Sequence, residues 1–248
     1  MRRSLLWAYL VLVHAILLLA LAKSDFLSRL ERRFGFGPAP EITDHFVRMV
    51  SFHERMDGNV PAGTVVFIGA SHIQGLFTDA VATPSVNYGI GGDTTVGVIS
   101  RLSRYRCLDR AAAVVLAVGM NDLPRRDNDE IIANYQRILR ALPPALPTVV
   151  TALFPVDAES MTDPLPGASN ARIAGVNRAL EGLCAADPRC TFVNISASLA
   201  DREGNLSKAH HVGDGVHLNN EGYRIWIEAL RGALLKAEEA KTPKRDER

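Results

Sequence analysis

Four short segments hold the residues whose types and order can do chemistry: Gly69-Ala70-Ser71-His72, Gly89-Ile90-Gly91-Gly92-Asp93-Thr94-Thr95, Gly119-Met120-Asn121-Asp122 and Asp214-Gly215-Val216-His217. A serine hydroxyl is a weak nucleophile until a neighbouring base takes its proton, and that base must itself be oriented by a third group. His217 can be the base for Ser71. Asp214, three residues earlier, can reach the imidazole in a tight turn and hold it in one tautomer. Acyl transfer also needs donors aimed at the developing oxyanion. Gly92, lacking a Cβ, can bring its N–H close to a substrate, Asn121 offers a side-chain amide, and the Ser71 N–H adds another donor. Taken singly, Ser71 and Asp214 can equally be caps of helices or turns. The order and placement of the four segments favour the nucleophile reading.

Other chemistries account for fewer of these residues. His210, His211, Asp214 and His217 could ligate zinc, but a metal reading leaves Ser71 without a role. Gly91-Gly92-Asp93-Thr94-Thr95 lacks the lysine and spacing of a phosphate-binding loop. The residues call for no cofactor and no metal. His72, beside Ser71, either lines the same pocket or is a satisfied surface histidine.

The elements that must position these residues are legible in the apolar pattern. Short runs rich in β-branched residues, Thr64 to Ile68, Ser85 to Tyr88, Ala112 to Val118, Thr148 to Phe154 and Thr191 to Ile195, alternate with segments of helical period. Ile131, Ile132, Tyr135, Ile138, Leu139 and Leu142 make one helical stripe, and Tyr223, Trp226, Ile227, Leu230 and Leu234 another. Runs such as AAAVVLAV, apolar on both faces, indicate a parallel sheet covered by helices on each side. The fold class is therefore α/β. In such sheets ligands collect at the carboxyl ends of the strands, where the first three segments fall, the fourth lying in the last loop before the terminal helix.

Composition narrows the partners. With 47% apolar and 22% charged residues over 248 positions, the chain suits one domain with a large hydrophobic core. Its 28 basic against 27 acidic residues leave a net charge of +1, without the basic excess that nucleic-acid binding uses. Three cysteines cannot build a disulfide scaffold. Cys184 and Cys190 either form one bridge in an oxidising compartment or are two unrelated thiols.

The amino terminus carries a separate signal. Leu5 to Ala22 is an 18-residue run with no formal charge behind Arg2 and Arg3, long enough for an uncleaved membrane anchor. Ala20-Leu21-Ala22 also fits a signal-peptidase site, so cleavage and secretion is the alternative. The expected organisation is residues 1–22 as anchor or signal, 23–41 as juxtamembrane linker, 42–240 as the catalytic domain and 241–248 as a charged tail. Lys23, Arg29, Arg32 and Arg33 oppose the orienting effect of Arg2 and Arg3; the possible bridge tips the expectation towards an exported domain.

The four segments resemble the SGNH hydrolases, the GDSL esterase and lipase family, whose serine, glycine, asparagine and histidine come from four blocks in this order. The resemblance covers roughly residues 64–235. Asn87 to Thr95 is similar to the branch containing platelet-activating-factor acetylhydrolase catalytic subunits. The resemblance implies a three-layer α/β/α fold with a flavodoxin-like five-stranded parallel sheet. It implies Ser71, Asp214 and His217 as triad, Gly92 and Asn121 as oxyanion-hole donors, and small-molecule, lipid or glycan esters as substrates. One position departs from the pattern: the family's Gly-Asp-Ser is Gly-Ala-Ser here, with Ala70 in place of the acid. That departure bears on the support of the serine turn and on substrate choice. Besides a general ester hydrolase, the expectation includes a carbohydrate O-acetylesterase of the cell envelope and a non-catalytic anchored binding module.

Overall fold

The computed structural model describes residues 41–241 except Thr162 and Pro164, together with Trp7, Tyr9, Leu10, Val13 and His14. The expected anchor and linker otherwise lie outside the described residues, as does the charged tail beyond Lys241. Among the described residues no helix is long and apolar enough to cross a membrane.

Five strands, β1 (Val65–Gly69), β2 (Ser85–Gly89), β3 (Ala113–Ala117), β4 (Thr148–Thr151) and β5 (Cys190–Val193), form one sheet in the order β2-β1-β3-β4-β5. All neighbouring pairs are parallel, as crossover helices require. This is the doubly wound order of flavodoxin-like sheets, so the expected α/β class and sheet are borne out.

Burial on both faces explains the continuous apolar runs. Val66, Ile68, Val114, Leu116 and Val150 point into one cluster with the buried sides of α3 (Thr95–Leu102), α4 (Asn128–Ala141) and α5 (Asn170–Ala185). Val65, Phe67, Val115, Val149 and Val193 point into the other, which holds Ile73 of α2 (Ser71–Gln74), Leu199 of α6 (Ser196–Leu199) and Trp226 and Leu230 of α7 (Asn220–Lys241). Polar side chains start the longer helices: Thr94, Asp127 and Ser169 accept N–H groups that the first turns of α3, α4 and α5 leave without partners.

Several elements differ from expectation, β5 among them, which runs Cys190–Val193 rather than to Ile195. β4 stops at Thr151, because the chain leaves the sheet after Ala152, whose N–H still reaches the Val193 carbonyl at 2.8 Å; the Asn177 side chain takes over both backbone groups of Leu153 at 2.8 Å. The helix α1 (Asp44–Asp57), capped by Thr43, was not expected. Its polar outer face and few buried residues, Phe46, Val50, His53 and Asp57, give it a weak apolar stripe. At the other end, α7 carries the chain to Lys241, the first residue of the expected charged tail. Cys184 and Cys190 are disulfide-bonded.

Candidate active site

All four segments lie at the carboxyl end of the sheet. Ser71 follows β1 by one residue, Ala70, and opens α2, so its side chain stands at the lip of the sheet. The turn from Asp214 to His217 precedes α7 and reaches the serine from the far end of the sequence. Ser71 Oγ lies 3.0 Å from His217 Nε2. On the other side of the ring, His217 Nδ1–H donates to Asp214 Oδ2 at 2.6 Å, which leaves Nε2 free to accept the serine proton.

Asp214 is a fixed anion. Its Oδ1 accepts the N–H groups of Val216 at 3.0 Å and His217 at 2.9 Å. Burial opposes the charged form, but the His217 hydrogen bond and these backbone donors overcome it and hold the carboxyl at about 2. The carboxylate therefore stays available to stabilise an imidazolium.

His72 is buried and lines the cleft. Its Nε2–H donates to the Val216 carbonyl at 3.1 Å, and its ring centroid is 5.6 Å from that of His217. Burial, followed by repulsion from His217, depresses it to about 4, so it is a neutral donor bracing the residue before His217. Phe154 and Trp226 pack edge-on against it.

On the opposite wall, Gly92 has φ +78°, where other residues are strained, and its Cβ position is open space. Asn121 Nδ2 donates one hydrogen to the Asp93 carbonyl at 2.9 Å, fixing the amide plane and leaving the second hydrogen for the cleft that both residues line. The cleft is about 380 Å³ and has apolar walls from Val118, Met120, Leu153, Phe154 and Val216.

Two polar networks behind this wall escaped the sequence reading. Arg101, fully buried on α3, donates to Asp93 Oδ2 through Nε at 3.0 Å and Nη2 at 2.7 Å. It also donates to the carbonyls of Tyr88 at 2.8 Å and Gly69 at 3.2 Å. One guanidinium thus joins the ends of β1 and β2 to the Gly92 turn. Burial raises the Asp93 carboxyl even against Arg101. The only sequence signal was a lone arginine on the apolar stripe of Val98, Leu102 and Tyr105.

In the second network, Asp122 accepts from Thr95 N at 3.0 Å, Thr95 Oγ1 at 2.5 Å and Arg126 at 2.5 Å. Arg126 also binds Glu41 at 2.7 Å, and Thr94 Oγ1 donates to the same carboxylate. Glu41, expected as the end of the linker, is thereby part of the site's support. The alternative metal set does not assemble: His210 Nδ1 is bound to the Leu199 carbonyl at 3.0 Å and His211 Nδ1 to backbone N–H groups. Among the described residues no cluster of ligand side chains can hold a metal.

A doubly wound sheet presenting serine, histidine and aspartate in one hydrogen-bonded line at its ligand edge defines a serine hydrolase of the α/β type. The sequence profile of the GDSL-like lipase/acylhydrolase family matches residues 66–225, and the chain belongs to that family: it is a serine ester hydrolase. Platelet-activating factor acetylhydrolase IB subunit alpha1 of Rattus norvegicus is 27% identical over 201 residues, covering 76% of this chain and 83% of that protein. Among solved structures, a GDSL-like lipase from Bacteroides thetaiotaomicron matches with TM-score 0.63 and 21% identity, covering 76% of this chain and 98% of its own. An acetylxylan esterase from Geobacillus stearothermophilus matches with TM-score 0.56 and 18% identity, covering 71% of this chain and 96% of its own. These two structural likenesses carry the fold.

Proposed function

We propose that the protein hydrolyses short-chain carboxylic esters, acetyl esters foremost, through an acyl-enzyme on Ser71. The observation that carries the mechanism is the unbroken line from Ser71 Oγ to His217 at 3.0 Å and from His217 to Asp214 at 2.6 Å. Ser71 Oγ attacks the ester carbonyl as its proton passes to His217 Nε2, and Asp214 stabilises the imidazolium. The carbonyl oxygen becomes an oxyanion facing the N–H of Gly92, the amide of Asn121 and the N–H of Ser71. His217 returns the proton to the leaving alkoxide, releasing the alcohol. A water deprotonated by the same nitrogen then attacks the acyl carbon, and the acid leaves with Ser71 restored.

A cleft of about 380 Å³ supports a small acyl group, since it lies near the lower end of ligand-pocket sizes. The names of the relatives point the same way, one an acetylhydrolase and one an acetylxylan esterase. The second of these also supports a narrower reading, a carbohydrate O-acetylesterase. A series of aryl esters from acetate to decanoate, assayed with the full-length protein, tests the proposal: kcat/KM should fall as the acyl chain lengthens beyond about four carbons. A maximum at eight or ten carbons would refute the short-acyl reading. Release of acetate from acetylated oligosaccharides at a rate above that from aryl acetate would select the carbohydrate reading. We extend the proposal to place: the 18-residue apolar run from Leu5 to Ala22 anchors the domain, exported, to a membrane.

A further inference from the structure

We propose that His211 and Asp157 form a buried positioning pair that holds the Asp214 to His217 turn in its working shape and ties it to the segment that follows β4. The proposal rests on the esterase reading of the site. His211 and Asp157 have side chains only 3% and 7% exposed. His211 Nδ1 accepts the N–H of Gly213 at 3.0 Å and of Gly215 at 3.2 Å. Two converging donors leave no place for a proton on Nδ1, so the ring is the neutral Nε2–H tautomer. That Nε2 has no hydrogen-bond acceptor among the described residues, and it faces Asp157 Oδ2 at 3.5 Å. The separation is long for a hydrogen bond, but the carboxylate lies on the side where the ring is positive.

Asp157 is itself held firmly. Its Oδ2 accepts from Ser160 Oγ at 2.6 Å and its Oδ1 from Glu159 N at 3.2 Å. Its own N–H donates to the Gly215 carbonyl at 2.8 Å. Gly215 has φ +73°, and a Cβ there would fall 2.2 Å from the Asp157 carbonyl oxygen; the turn is pressed onto the Asp157 backbone where no larger residue fits. Asp214 sits between the two glycines that His211 binds. One imidazole therefore fixes the backbone on both sides of the triad carboxylate, two hydrogen bonds away from the serine. A displacement of that carboxylate by about 1 Å is enough to slow acyl transfer roughly 10²-fold, because rate depends on near-attack geometry.

The test uses three variants of the full-length chain. His211→Leu keeps bulk and removes the acceptor, His211→Asn keeps an acceptor atom at the Nδ1 position, and Asp157→Asn removes the charge facing Nε2. On an aryl acetate, His211→Leu should lower kcat by about 10²-fold with KM within about threefold of the parent. His211→Asn should recover at least tenfold of that loss, and Asp157→Asn should lower kcat in the same direction but less. Two readouts do not depend on turnover. Long-range ¹H–¹⁵N spectra of the parent at neutral pH should show His211 as the Nε2–H tautomer. Amide exchange at Gly213 and Gly215 should quicken in His211→Leu and slow again in His211→Asn. If His211→Leu does not fold, the Asn variants and the parent tautomer carry the test. An Nδ1–H tautomer overturns the proposal, as do unchanged kcat in Asp157→Asn or no recovery in His211→Asn relative to a folded His211→Leu. A parent without ester turnover fails the esterase reading alone, and the tautomer and exchange results then decide the pair.

Discussion

Arg101→Met should destabilise the protein far more than an ordinary surface arginine substitution. The guanidinium is fully buried and is the partner of an equally buried carboxylate, Asp93, at 2.7 Å. Removing it strands that charge, an effect worth about 3 to 5 kcal/mol. It also leaves the Gly69 and Tyr88 carbonyls without the donors that reach them at 3.2 and 2.8 Å. For a domain of this size, 3 to 5 kcal/mol corresponds to a fall in Tm of roughly 6 to 20 °C. Part of that loss should return in the double variant Asp93→Asn/Arg101→Met, which has no unpaired charge, so the two substitutions should be strongly non-additive. Urea unfolding of the parent, both single variants and the double variant measures the coupling directly. A loss below about 1 kcal/mol in Arg101→Met, or simple additivity, would show that the buried pair does not brace the site.

Ser71→Ala should lower ester hydrolysis by about 10³-fold or more and leave Tm within a few degrees; a fluorophosphonate probe that labels the variant as well as the parent would remove the nucleophile assignment. Asn121→Ala should reduce kcat about 10² to 10³-fold, or about 3 to 4 kcal/mol, because its second hydrogen meets charge that exists only in the transition state; a change confined to KM would make it a binding residue instead. Stability should fall on acidification through His72, whose imidazole drops from an unfolded value of 6.5 to about 4 on folding. The unfolded chain binds the proton first, so the contribution is complete above about 6.5 and is lost as pH falls towards 4, by about 3 kcal/mol. His72→Gln should flatten the urea midpoint over that range, and an unaltered pH slope would refute the argument. After a carbonate wash the full-length protein should stay with membranes, and its release would argue against the anchor.

How much of this was legible in the sequence depended on the range of the interaction. Sheet strands announce themselves because both faces are buried, so Val65 to Ile68 and Ala113 to Leu116 must be apolar throughout. Ser71, Asn121, Asp214 and His217 were legible for a different reason: their reactive types stand within two residues of glycines, after β1 and β3 or in the turn before α7, a local arrangement that survives in one dimension. Arg101, Asp122 and Arg126 had no such mark. Arginine and aspartate side chains usually face water, and only the fold shows that Arg101 reaches Asp93, Tyr88 and Gly69 while Asp122 receives Thr95. Asp93, Tyr88 and Gly69 lie 8, 13 and 32 residues from Arg101, and Thr95 lies 27 from Asp122; no periodicity encodes those separations. The same consideration bears on Ala70, the one departure from the family pattern. With no carboxylate beside Ser71, the serine turn still has a charged support, but it comes from the next strand and helix: Arg101 grips the carbonyl of Gly69, two residues before the nucleophile, and is held there by Asp93. A substitution read alone as a weakening is thus set against a buried ion pair that is visible only once β1, β2 and α3 are brought together.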